Sequence, residues 1–165
     1  LEWTPEVHFY GNTVRNNRAR ATLFTSTKPV LCESNVFERV SGAGIRVSGD
    51  AIFWYETGPV SDLVIRGNVF DGCQLRGKGG AVILIDPMIK EKNRQTRNYH
   101  RRIVVQDNVF RNVRDGKLLS AYSLDELVWS GNLPKCEPRK GDRPGTWTVD
   151  VPKTEGASSG KGGRP

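Results

Sequence analysis

Two short runs of this chain carry side chains that could do chemistry. One is the Arg-Ala-Arg triplet at residues 18–20; the other is the aromatic stretch Ile52-Phe53-Trp54-Tyr55, which ends on Glu56. A carboxyl held among aromatic rings is partly desolvated, and that raises its pKa toward general-acid service. Partnering a nearby arginine is an equal claim on Glu56. Trp54 offers a flat face on which the apolar side of a sugar ring could stack, with core packing as the competing use. Read as an alternating strand, residues 18–25 turn Arg18 and Arg20 to one outward face. There they could donate to hydroxyls or orient a carboxylate, or else sit in surface ion pairs. Asp50 follows Gly49 and Asp86 precedes Pro87, contexts that mark turns before catalysis.

Other chemistries have less to build on. His8 and His100 are isolated and read as surface polar residues, while Cys32, Cys73 and Cys136 lack metal-ligand spacing. No metal and no cofactor are expected. The net charge of +7 is localised: residues 90–102 hold six basic side chains against one acidic, and residues 135–165 hold seven against four. A nucleic-acid surface would spread that charge along a groove with interleaved aromatics, so a solvated loop and a tail are the simpler reading. No apolar run approaches the roughly 20 residues of a membrane span. The sequence leaves the oligomeric state open.

The elements that must position these residues are written in a repeated phrase. Residues 7–14 (VHFYGNTV), 30–37 (VLCESNVF), 63–70 (LVIRGNVF), 103–110 (IVVQDNVF) and 127–134 (LVWSGNLP) share one pattern: apolar, any, apolar, two polar or small, Asn, then an apolar pair. The asparagines 12, 35, 68, 108 and 132 are thus 23, 33, 40 and 24 residues apart. A period in the low twenties with two insertions predicts a solenoid in which each repeat is one coil. The alternation is that of strands, and no stretch sustains a helical period. The fold expected is all-β, a right-handed single-stranded parallel β-helix of about five coils.

Stacking the phrases gives columns of like residues: Val7, Val30, Leu63, Ile103 and Leu127 in one, and Phe9, Cys32, Ile65, Val105 and Trp129 in the next. Phe37, Phe70 and Phe110 form an aromatic column flanked by Val14 and Pro134, with Val40, Cys73 and Val113 beyond it. Cys32 and Cys73 therefore read as small core residues. An inward Asn can accept and donate at once, so the Asn column predicts an interior amide ladder.

A second strand per coil is expected within residues 18–25, 44–48, 81–86 and 118–122. This reading places Ala19, Ala21, Leu23, Ile45, Val47, Ala81, Ile83, Ile85, Leu119 and Ala121 inward. Arg18, Arg20, Thr22, Arg46, Ser48, Leu84, Asp86, Ser120 and Tyr122 then face out. Insertions at residues 49–61 and 90–102 both follow that strand and should emerge on one side. Residues 146–151 could add an edge strand or lay Trp147 over the last coil as a cap. The domain is expected to cover residues 1–152, with a disordered tail over 153–165. The chain starts at Leu1 with six residues before its first coil, too few for the end cap a solenoid needs. The C-terminal part of a longer protein is therefore expected.

The run Asn16-Asn17-Arg18-Ala19-Arg20-Ala21-Thr22-Leu23-Phe24-Thr25, followed by the phrase at 30–37, resembles the α-1,3-galactosidases that remove galactose from blood-group-B-type glycans. Gly49-Asp50 and Trp54-Tyr55-Glu56-Thr57-Gly58 carry the same resemblance. It covers about residues 7–133 and departs at Ala21, where the family has Gly, and in the basic insertion. It implies a right-handed parallel β-helix glycoside hydrolase, secreted or periplasmic, acting on a glycan. Inverting enzymes of this kind hold two carboxylates roughly 6.5–9.5 Å apart to admit a water. The resemblance implies that the catalytic pair belongs to an Asp-Asp motif, which this chain lacks. The expected contribution of this chain is then substrate contacts from Arg18, Arg20 and Trp54, with Glu56 as the catalytic candidate. Two alternatives remain open. One is a non-catalytic β-helix module for glycan binding or surface adhesion. The other is a polysaccharide lyase, disfavoured because no acidic cluster could hold its Ca²⁺.

Overall fold

The computed structural model describes residues 3–49, 57–77, 79–90 and 97–152, all strand and loop. The chain passes through three sheets in turn and returns to the first beside its previous pass. The first sheet stacks β1 (Val7–Tyr10), β4 (Val30–Glu33), β7 (Asp62–Arg66), β10 (His100–Gln106) and β13 (Leu124–Ser130). The second stacks β2 (Thr13–Arg15), β5 (Val36–Val40), β8 (Val69–Cys73) and β11 (Val109–Arg111). The third stacks β3 (Thr22–Phe24), β6 (Ile45–Val47), β9 (Ile83–Ile85) and β12 (Lys117–Ala121). All of these neighbours pair in parallel.

The register is the one the phrases dictate. Val7, Val30, Leu63, Ile103 and Leu127 stand opposite one another, as do Phe9, Cys32, Ile65, Val105 and Trp129. Phe37, Phe70 and Phe110 stack at 4.9–5.0 Å between ring centroids. Phe9 and Trp129 lengthen that stack from the neighbouring column, at 6.4 Å from Phe37 and 5.7 Å from Phe110. Cys32 and Cys73 are buried and free, and burial pushes both thiols up to about 12.

The asparagines form a continuous ladder, buried from Asn35 to Asn132 and exposed at Asn12. Each side-chain amide donates to the Oδ1 of the next, from Asn12 to Asn35, Asn68, Asn108 and Asn132, at 2.9–3.1 Å. The same Oδ1 atoms accept the backbone N–H of the preceding Asn. Asn35, Asn68, Asn108 and Asn132 also donate to the carbonyls of Phe9, Cys32, Ile65 and Val105. Residues 11, 34, 67, 107 and 131, one before each Asn, all have left-handed φ between 55° and 65°. Gly at three of them and Asp at a fourth suit that conformation; Ser34 is the exception.

In the third sheet the first strand is shifted by one residue from expectation. Thr22, Leu23 and Phe24 stand opposite Ile45, Arg46 and Val47, so Leu23 faces out at 42% exposure while Phe24 is buried. A one-residue slip exchanges the faces of a strand, and the larger Phe24 ring wins the interior, edge-on to Phe9 at 6.3 Å. Ala19 is exposed, and Ser48 is buried rather than outward. The third sheet ends on β15 (Trp147–Asp150), antiparallel to β12, and β14 (Arg139–Lys140), antiparallel to β15. The edge strand foreseen over 146–151 is therefore present, and the Trp147 indole donates to the Leu124 carbonyl at 3.3 Å. Among the described residues no helix is long and apolar enough to cross a membrane. The tail expected over 153–165 lies outside the described residues.

Candidate functional site

The turns that lead from the second sheet into the third supply the site. Gly42, Gln74 and Arg76 bond from one layer to the next through their backbones: the Gly42 N–H donates to Ala19, the Gln74 N–H to Gly42 and the Arg76 N–H to Ser41. This stacking gathers Arg18 and Arg20 from the first layer, Arg46 from the second, and Gln74, Arg76 and Leu84 from the third around one open groove of about 320 Å³. Arg18 and Arg20 thus meet, as the sequence led one to expect, though not on a strand. They lie in the connection before β3.

Small residues make the floor. A Cβ on Gly42 would stand 2.8 Å from the Ala19 carbonyl oxygen, and one on Gly80 would collide with the Gln74 amide. Gly79 has φ +76° and open space around it, so backbone is accessible there to a bound molecule. Arg46 is outward on β6, and its guanidinium reaches Asp86 at 3.9 Å. The Asp86 Oδ1 accepts the Met88 N–H at 2.8 Å, which is the turn role its sequence context suggests.

Beyond β6, the described residues that flank one insertion meet Tyr99 of the other. The Tyr99 hydroxyl donates to the Gly49 carbonyl at 3.1 Å and lies 3.4 Å from the Thr57 carbonyl. A Cβ on Gly49 would sit 2.1 Å from the Tyr99 ring, so that ring needs a glycine beneath it. His100, read from sequence as a surface residue, is wholly buried. Its Nδ1 accepts the Val60 N–H at 3.2 Å, and burial pushes its pKa down to about 4. Val60, Tyr99, Ser123 and Leu124 surround it, and a lone His in a basic stretch gives no sign of that. Trp54, Glu56 and Asp50 lie outside the described residues. Among the described residues no group of three or more His, Cys, Asp or Glu is placed to hold a metal ion.

Arg76 and Gln74 are the groove residues that sequence reading missed. They sit in a turn outside the repeated phrase, and only the glycine-rich run at 77–80 hints at a special backbone there.

An α-1,3-galactosidase B of Bacteroides fragilis is 39% identical over 156 residues, which cover 91% of this chain and 26% of that protein. This chain is related to the α-1,3-galactosidases. An α-1,3-galactosidase B of Akkermansia muciniphila is 42% identical over 133 residues, covering 79% of this chain and 17% of its own length. An α-1,3-galactosidase A of Streptomyces avermitilis is 40% identical over 129 residues, covering 78% and 20%. The chain spans about a quarter or less of the galactosidases it matches. No protein-family model matches it.

Proposed function

We propose that this chain forms coils of a right-handed parallel β-helix within a glycoside hydrolase that releases terminal α-1,3-linked galactose with inversion. The observation that carries the reading is the likeness to α-1,3-galactosidases over 91% of the chain, a length that takes in the whole groove. The continuous parallel register of the three sheets supports the β-helix. In this reading the groove holds the glycan: Arg18 and Arg20 donate to its hydroxyls, Trp54 stacks on a ring face, and Glu56 is the candidate general acid. Inversion requires a second carboxylate as general base, which an aspartate from chain outside these residues would supply, so that this part of the enzyme mainly contacts substrate.

The test is galactose release from an α-1,3-linked galactosyl oligosaccharide by the full-length protein, with the first anomer read by proton NMR. The β-anomer should appear first. Arg18→Ala with Arg20→Ala should raise KM about tenfold, the worth of one or two lost hydrogen bonds, and Glu56→Ala should lower kcat. Absence of galactose release would refute the activity, and unchanged kinetics in these variants would remove the residues from the site.

A further inference from the structure

The groove is more cationic than recognition of a neutral sugar requires. Four arginines line it and none of its lining residues is acidic. Arg18, Arg20 and Arg76 have no ion-pair partner among the described residues, and Arg46 meets Asp86 only at 3.9 Å. The outer face of the first sheet behaves otherwise. There Arg66 pairs with Glu33 at 2.6 Å, Arg101 with Asp125 at 2.9 Å, and Arg102 with Asp62 at 3.3 Å and Glu126 at 3.5 Å. On that face carboxylates stand beside the arginines, whereas none is among the described residues that line the groove.

Successive layers of a sheet lie about 4.8 Å apart, so guanidinium groups from three layers repel one another until an anion joins them. Planar, forked donors suit the oxygens of a sulfate ester or a carboxylate, and such charge-assisted bonds are the strong ones. Gly79, with open space where a Cβ would stand, leaves room beside the arginines for a head group. Nucleic acid fits less well, since no aromatic side chain lines the groove on which bases could stack. Its volume of about 320 Å³ lies at the small end of ligand sites, roughly 300–1,000 Å³, room for one or two sugar rings.

We propose that the groove binds glycans carrying an anionic substituent, a sulfate ester or a carboxylate, held by Arg18, Arg20, Arg46 and Arg76. From the proposed function this takes only that the ligand is a glycan; hydrolysis is not required. The experiment is calorimetric titration of the full-length protein with a galactose-terminated disaccharide, its sulfated form and its uronate-bearing form. At low salt an anionic form should bind about tenfold or more tightly than the neutral one, and the advantage should shrink as salt rises. The two anionic arms distinguish sulfate from carboxylate.

Arg76→Gln should erase most of the preference, Arg76→Lys should keep part of it, and Arg111→Ala, an exposed arginine of the second sheet, should leave it intact. Equal affinity for neutral and charged sugars would overturn the proposal, as would the same loss with Arg111→Ala. Tighter, groove-dependent binding of a single-stranded oligonucleotide would overturn the glycan assignment. Galactose release without any charge preference would sink this inference alone. A charge preference without hydrolysis would leave it standing and remove the glycosidase.

Discussion

His100 opens β10 with no exposure to solvent, and its ring must stay neutral to keep the Val60 N–H on Nδ1. With Nδ1 accepting, the neutral ring carries its hydrogen on Nε2, which finds no partner among the described residues; a second proton would have to go on Nδ1, breaking the bond from Val60 and leaving a buried, uncompensated charge. Tyr99 stands edge-on to the ring at 5.1 Å. The folded state resists protonation down to about pH 4, against an ordinary value of 6.5. The unfolded chain therefore binds the proton first as pH falls. Stability is complete above pH 6.5 and drains away between 6.5 and about 4, by about 3 kcal/mol at 1.36 kcal/mol per pKa unit. Urea unfolding across that range should show the slope, and His100→Asn should flatten it. An identical slope in the variant would mean that other groups carry it. Glu33 is a candidate only at lower pH, since hydrogen bonds from Arg66 and His8 hold its carboxyl below the usual carboxylate range.

At the scale of the element, the turn between the first and second sheets sets the whole stack. A left-handed residue followed by an inward Asn turns the chain, and the amide then satisfies backbone groups that the turn strands in the interior. Asn68 is the middle rung. Truncating it leaves the Asn35 N–H, the Asn35 amide and the Cys32 carbonyl without their partners. Buried groups lose about 1–3 kcal/mol each when left unpaired, so Asn68→Ala should cost roughly 3–5 kcal/mol in urea unfolding. A loss below about 1 kcal/mol would show that the ladder decorates the coil without stabilising it.

These turns were legible in sequence because their asparagines recur with apolar residues at fixed offsets on both sides. The third sheet was less so. Ala19-Arg20-Ala21-Thr22-Leu23-Phe24 alternates acceptably in either phase, and only the packing of Phe24 on Phe9 decides between them. Arg18 and Arg20 stand out by type, whereas Gln74 and Arg76, which line the same groove, sit on a turn whose position depends on the stacking itself. His100 could not be read at all, because what buries it is contact between segments far apart in sequence.

On the scale of the whole molecule, charge is distributed with a pattern. The first sheet's outer face sets Arg66, Arg101 and Arg102 against Glu33, Asp62, Asp125 and Glu126 on neighbouring strands. The groove between the second and third sheets keeps its four arginines without a matching set. Both insertions leave from the opposite end of the third sheet, with Gly49 and Thr57 of one tied to Tyr99 of the other. The surface between these two features, which carries Arg46, Leu84 and Asp86, is where a glycan would lie along the stack. Hydrogen–deuterium exchange with and without a terminal α-1,3-linked galactoside tests that placement most directly. Slowed exchange should appear at amides of residues 16–22, 41–46, 54–56 and 74–84, with the first sheet unchanged. Protection on the first sheet's outer face, or none anywhere at saturating ligand, would contradict it.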